Sequence, residues 1–232
     1  GMTLQPLREY VAPPPLPDFI AAAVVLADLP SFIKYTNRFK GPHALVFVTD
    51  HSLVAQLDYH TPANPMRNKH EARYALALSE EYQAWTAIHN KPVAQGDFAL
   101  FLEERARDVV TPPSGAIMEI VLTLEAKTEI EFRSGKRLDN STQQLQYVET
   151  QVSKAGQSGN LEVPTALTIN LPLFRHGEPV AITAKLRTIL RDGKALFIVK
   201  LLGLETAKDD ALARMIETVN KETQLPVLRG QP

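Results

Sequence analysis

The chain has 232 residues, with 25 lysines and arginines against 26 aspartates and glutamates, a formal net charge of −1 and no cysteine. That length allows one large domain or two small ones, and 44% apolar residues is the composition of a globular protein. The missing cysteines exclude disulfides, thiolate metal sites, iron–sulfur ligation and cysteine nucleophiles, and the balanced charge gives no support for a dedicated duplex-DNA binder, which needs a basic face.

Gly1 before Met2 reads as a remnant of tag removal. Residues 1–18 read as an arm: Pro13, Pro14, Pro15 and Pro17 favour polyproline II. Such an arm could dock a proline-binding module, but a stiff surface lead-in is the plainer reading. Phe19–Ala27 reads as a buried strand, although its alanines leave a helix open. Phe19–Leu29 lacks both a preceding basic region and a cleavage pattern. No apolar run reaches the roughly 18–20 residues that span a bilayer. The expectation is a cytoplasmic protein with no membrane contact.

Asp28 then has the position of a helix N-cap, with Pro30 in the first turn, a stripe at Leu29, Phe32, Ile33 and Thr36, and a stop at Gly41–Pro42. Two strands follow, Ala44–Thr49 and Leu53–Tyr59, joined at Asp50, His51 and Ser52. The first is apolar on both faces and suits a central place in a sheet. After a loop, Thr61–Lys69, the run Glu71–Leu78 alternates as a strand. Ser79 can cap a short helix to His89 that buries Tyr82, Trp85 and Ile88. Asp97 is placed to cap a second helix, Phe98–Val110. Thr111–Gly115 is the candidate linker.

Beyond it, Ile117, Ile120, Val121 and Leu124 have helical spacing, which predicts a helix over Ala116–Glu125. The period then drops to two. Lys127–Arg133 and Gln143–Val152 read as strands, and Leu161–Phe174, Pro179–Leu190 and Lys194–Gly203 as an antiparallel meander. Its turns, 175–178 and 191–193, carry the glycines that tight hairpins need. Leu212, Met215, Ile216 and Val219 form the stripe of a closing helix, with Asp209 and Asp210 near its start and Lys221 near its end. The fold class is therefore α+β. The expected organisation is a Pro-rich arm (1–18), an N-terminal αβ unit (19–110) and a C-terminal β-meander plus helix (116–225), with one continuous domain over 19–225 as the alternative.

Several segments resemble the YfdQ-like family of phage and prophage proteins, a domain of unknown function. They are Leu57-Asp58-Tyr59-His60, the Pro-containing loop to His70, Ser79 to Trp85, Phe132-Arg133-Ser134, Arg137 to Asn140, Glu162-Val163-Pro164, and the strand–Asp-Gly–strand from Ala184 to Leu202. The resemblance runs from about Phe19 onward. It implies a phage or prophage origin and a bacterial cytoplasm, and it carries over no catalytic residues. It also implies a longer N-terminal region than the arm supplies.

Asp58, His60 and His70 are the sharpest candidate site. Asp58 and His60 lie two apart on an expected strand and would share a face. With His70 beside them, two imidazoles and a carboxylate could hold zinc, manganese or iron and activate a water. The alternative is that they flank a turn. Asp50–His51 could be an acid–base pair, though a turn is the simpler reading. No nucleophile elbow, phosphate-binding loop or dinucleotide fingerprint occurs. Arg133, Lys136 and Arg137 could form a local basic patch. Glu149, Lys185 and Arg187 could line a cleft, with cross-strand ion pairs as the ordinary account. Tyr82 and Trp85 could stack on bases, but core packing is the better reading.

Three functions remain open. A non-enzymatic accessory protein that binds a protein partner or self-associates comes first. A single-stranded DNA or recombination-associated protein would need a basic groove. A metal-dependent hydrolase or nuclease would need Asp58, His60 and His70 within bridging distance of one metal. No cofactor other than a divalent metal is suggested.

Overall fold

The computed structural model describes residues 11–125, 130–139, 141–149 and 158–232. Among them are five α-helices and thirteen strands in three sheets, a mixed α+β fold with no closed barrel. The expected Lys127–Arg133 and Gln143–Val152 strands each fall partly outside these residues, as does the start of the arm. Residues 11–18 are exposed and carry no regular structure.

The first sheet holds β1 (Ala22–Leu26), β2 (Leu45–Val48), β3 (Ser52–Gln56), β4 (His70–Ala75) and β13 (Val227–Arg229), in the order β1-β4-β3-β2-β13. α1 (Leu29–Phe39) covers one face, and Phe32 is fully buried there. Asp28 caps α1 as expected: its Oδ1 accepts the Ser31 N–H at 2.7 Å, satisfying one of the orphan donors of the first turn. β2 lies inside the sheet, between β3 and β13, which is why it is apolar on both faces. β1 departs from expectation. It is an edge strand whose burial alternates between partial and none, and Val25 is 72% exposed.

The second sheet holds β5 (Pro92–Ala94), β6 (Val109–Thr111), β10 (Ala166–Pro172), β11 (Pro179–Arg191) and β12 (Lys194–Leu201), in the order β5-β12-β11-β10-β6. β10, β11 and β12 are the antiparallel meander. Asp192 and Gly193 have φ of 52° and 73°, the pair of positive values that a two-residue type I′ turn requires. On β11, Ile182, Ala184 and Leu186 are buried, while Thr183, Lys185 and Arg187 are exposed. The third sheet, β7 (Ile130–Arg137), β8 (Thr142–Glu149) and β9 (Ser158–Pro164), is an antiparallel ladder against the far ends of β11 and β12. The expected strand Leu161–Phe174 is thus two strands. The chain breaks at Thr165 and passes from the third sheet to the second.

α2 (Glu80–Ile88) begins at Ser79, whose hydroxyl accepts the Tyr82 N–H at 3.0 Å. Trp85 is buried beneath it and donates Nε1–H to Asp108 at 2.8 Å. Tyr82 and Trp85 are core residues and present no stacking platform. α3 (Gln95–Glu104) is shorter than expected, and Asp97 lies in its first turn while Ala94 takes the cap position. A 3-10 turn (Ala106–Asp108) and β6 replace its predicted last turns. The reason is tertiary: Val109 and Thr111 pair with β10, and a sheet partner outcompetes a fraying helix end. Thr111–Gly115, the candidate linker, contains the end of β6 and the start of α4 (Ser114–Glu125).

α5 (Leu204–Thr223) starts straight after β12, so Asp209 and Asp210 lie in its body rather than at its start. Leu212 and Val219 are buried, and the helix packs against α1, β11 and β13. Its last carbonyls are met from α1: Lys40 Nζ bonds the Thr223 carbonyl at 2.6 Å and Asn37 Nδ2 that of Glu222 at 3.0 Å. A cation there suits the negative end of the helix dipole. The chain then returns to the first sheet as β13, parallel to β2. β5 and β6 from the first half pair with β12 and β10 from the second. Buried apolar residues from Phe32 to Leu225 form one contiguous cluster, in which Phe98 and Phe197 stack at 4.6 Å.

Candidate functional site

Asp58, His60 and His70 lie at the two ends of the loop between β3 and β4. β3 ends at Gln56, so Asp58 and His60 do not share a strand face. The cause is local: Asp58 is a loop clamp. Its Oδ2 accepts the Lys69 N–H at 2.9 Å and its Oδ1 the His70 N–H at 3.0 Å. Burial pushes the carboxyl upward, but those backbone N–H groups outweigh it and hold Asp58 below the usual carboxylate value.

His60 is exposed and makes a second clamp, its Nδ1 accepting the Met66 N–H at 2.8 Å. An acceptor Nδ1 leaves the proton on Nε2, so neither nitrogen offers a metal a free lone pair while that bond is kept. His70 is 5% exposed, with its Nε2 2.7 Å from the Tyr35 hydroxyl and its ring edge-on to Tyr35 and Phe39. Burial lowers its pKa, and the nearby Asp58 carboxylate opposes that shift. Asp58 and His70 are therefore brought together, through Asp58 and the His70 backbone, while His60 faces the loop. Among the described residues no group of three His, Cys, Asp or Glu is placed to hold a metal ion. At Asp50–His51, Thr49 makes the turn: its Oγ1 accepts the His51 and Ser52 N–H groups, and His51 is exposed.

A different constellation forms on the outer face of the second sheet. Lys185 and Arg187 point out from β11, and Lys200 from β12. The I′ turn fixes the register so that Lys185 stands directly opposite Lys200. The end of the β7–β8 hairpin brings Arg137 and Gln143 against them, and Asn90 closes one side. The result is an open cleft of about 600 Å³ whose lining, among the described residues, contains four cations and no carboxylate.

Like charges directly opposite on a ladder are destabilising. Among the described residues Lys185, Arg187 and Lys200 have no anionic partner, and the Glu149 side chain lies outside what is described. Arg137 donates Nε–H to the Asp139 carbonyl at 3.0 Å, and the Asp139 carboxylate is taken by Ser141 and Thr142. Hydrogen bonds from the Ser141 and Thr142 backbone, with Ser141's hydroxyl and the nearby Arg137, hold that carboxyl below its usual value.

Asn90 is placed by His89. The Leu201 N–H donates to His89 Nδ1 at 3.0 Å, and Asn90 Nδ2 lies 3.1 Å from His89 Nε2. Among the described residues the lining thus offers four cationic groups and no carboxylate, with the Asp139 carboxylate beside Arg137 engaged by Ser141 and Thr142.

Over residues 1–232 the sequence matches the model of the family described as "Uncharacterized conserved protein (DUF2303)". The chain belongs to that family. No curated protein and no solved structure matches it. In this DUF2303 chain no helix among the described residues is long and apolar enough to cross a membrane. Arg137, Lys185 and Arg187 were each visible in the DUF2303 sequence as candidate charges. Lys200 and Asn90 were missed. Lys200 had a usable signal: it lies six residues after Lys194, as Lys185 lies six before Arg191, about an Asp-Gly turn that dictates the pairing.

Proposed function

We propose that this is a non-enzymatic binding protein of phage or prophage origin, acting in a bacterial cytoplasm, whose cleft holds the phosphate backbone of single-stranded nucleic acid. The observation that carries it is the Lys185–Lys200 opposition within a lining of four cations and no carboxylate. Phosphates between the lysines would convert a repulsion into two charge-assisted contacts. No aromatic side chain among the described residues lines the cleft, so binding is expected to follow the backbone and to be indifferent to base sequence. A concave cleft of this size takes a strand rather than a duplex. The phage origin is supported by the segments from Leu57 to Leu202 that resemble the YfdQ-like family, and the chain over 19–225 is proposed to act as one unit.

A metal-dependent hydrolase at Asp58, His60 and His70 is less well supported, since Asp58 and His60 already hold the loop and the His70 ring is engaged by the Tyr35 hydroxyl. The test is a fluorescence-anisotropy titration of a labelled oligo(dT) over a salt series. With up to four phosphates neutralised, log K should fall against log salt with a slope of roughly −2 to −3. Lys185→Glu/Lys200→Glu should weaken binding tenfold or more and flatten the slope. Absence of binding at low salt, or binding that the double variant leaves unchanged, rejects the reading.

A further inference from the structure

We infer that β1 is a self-association edge, at which two copies of this chain pair antiparallel and join their first sheets into one. Ala22 donates its N–H to the Lys69 carbonyl at 3.1 Å, and β1 runs parallel to β4 in register. Hydrogen-bonding direction alternates along a strand. Ala23 and Val25 therefore turn their N–H and C=O groups away from β4, and none of these groups has a backbone partner among the described residues.

Edges of this kind are normally guarded by shortness, charge, proline or a bulge. The other edges of the two five-stranded sheets are guarded. β5, β6 and β13 have three residues each, Pro92 lies in β5, Pro112 follows β6, and Pro226 precedes β13. The edge strands of the third sheet carry charges, Glu131, Arg133, Lys136 and Arg137 on β7 and Glu162 on β9. β1 is five residues of alanine, valine and leucine, and no charge occurs from Phe19 to Ala27.

A second copy is the occupant this edge suits. A two-fold axis perpendicular to the sheet at Val24 sets Ala23 opposite Val25 of the other copy, and each pair exchanges both free backbone bonds. The exposed Val25 side chain then meets a small alanine, and no like charges face each other across the seam. β1 itself carries no charge, and Glu71 and Arg73 beside it on β4 are paired with each other at 2.6 Å. A seam this short lies below the roughly 1,200 Å² of a standard stable interface, so the dimer is expected to dissociate on dilution. This seam is remote in sequence from the cleft and does not depend on it.

The test is sedimentation velocity of the full chain over a dilution series, with Val25→Lys and, as control on the opposite edge, Leu228→Lys. Both side chains are exposed, 72% and 45%, so both variants should keep the wild-type melting temperature. The wild type should dimerise reversibly, Val25→Lys should raise the dissociation constant tenfold or more, and Leu228→Lys should leave it unchanged. Hydrogen exchange should show the Ala23 and Val25 amides protected at high concentration and exposed on dilution. A wild type monomeric throughout, association that Val25→Lys leaves intact, or protection independent of concentration overturns the inference. The last result would mean that the chain covers its own edge.

Discussion

The loop joining β3 to β4 and the cleft on the second sheet are both rich in polar groups, and they use them in opposite ways. In the loop, donors and acceptors close on one another: Asp58 on two backbone amides, His60 on Met66, His70 on Tyr35. In the cleft, Lys185 and Lys200 are set face to face with no counter-charge. A polar group whose partners are internal holds a fold together. One left uncompensated at a cost is available to something else. A cluster of histidines is the more conspicuous feature of the sequence, yet its geometry is that of a fastening.

The comparison is broken most directly by His70→Ala. Losing a buried ring and orphaning the Tyr35 hydroxyl should cost about 2–4 kcal/mol in urea unfolding, with oligonucleotide affinity per folded molecule unchanged. A binding defect without destabilisation would reverse the assignment of roles. Next in size, Lys185→Ala/Lys200→Ala should lose affinity uniformly across base sequences and reduce the salt slope by about 0.7–1 for each lysine, with no loss of stability.

Tyr35→Phe should cost about 1–3 kcal/mol, the penalty for a buried imidazole nitrogen left unpaired. The accompanying pH effect has a definite sign. His70 has a depressed pKa in the fold, so its contribution is complete above the unfolded value of 6.5 and is lost as pH falls through the folded one. Asp58, Asp28 and Asp139 are also depressed. Their contribution is complete above 3.8 and is lost further into acid. Asp108, raised by burial against the Trp85 hydrogen bond, works the other way, and its protonation favours the fold. Melting temperature should therefore begin to drop just below pH 6.5, and His70→Gln should remove that first step while leaving the deeper acid transition.

The smallest effect sharpens the contrast most. Lys185→Glu alone places opposite charges across the ladder and should stabilise by about 0.2–1 kcal/mol while weakening oligonucleotide binding. A lysine whose job was structural would show the reverse.

Much of the fold was legible because its signals are local. Asp28 and Ser79 cap the helices they were expected to cap, and Asp192–Gly193 makes the expected turn. What could not be read depends on distant partners. β5, β6 and β13 have three residues each, too few to show a period, and exist because β12, β10 and β2 are there to pair with them. The same limit applies to the site. The charges at 137, 185 and 187 were visible singly, but their convergence needs the third sheet to lie across the ends of β11 and β12. The metal reading of Asp58 and His60 assumed a strand that runs three residues past the end of β3, because nothing local announces that a carboxylate will bond the amides of residues 69 and 70.

The parallel pairing of β13 with β2 has a consequence for biosynthesis. Residues 45–48 leave the ribosome long before residues 227–229, and at about 5–20 residues per second the interval is on the order of ten seconds or more. Throughout that interval a nascent chain carries an apolar strand without its final neighbour. A translation product stopped short of residue 227 would keep that strand bare, and it is expected to be held longer by chaperones than a product that carries residues 227–229.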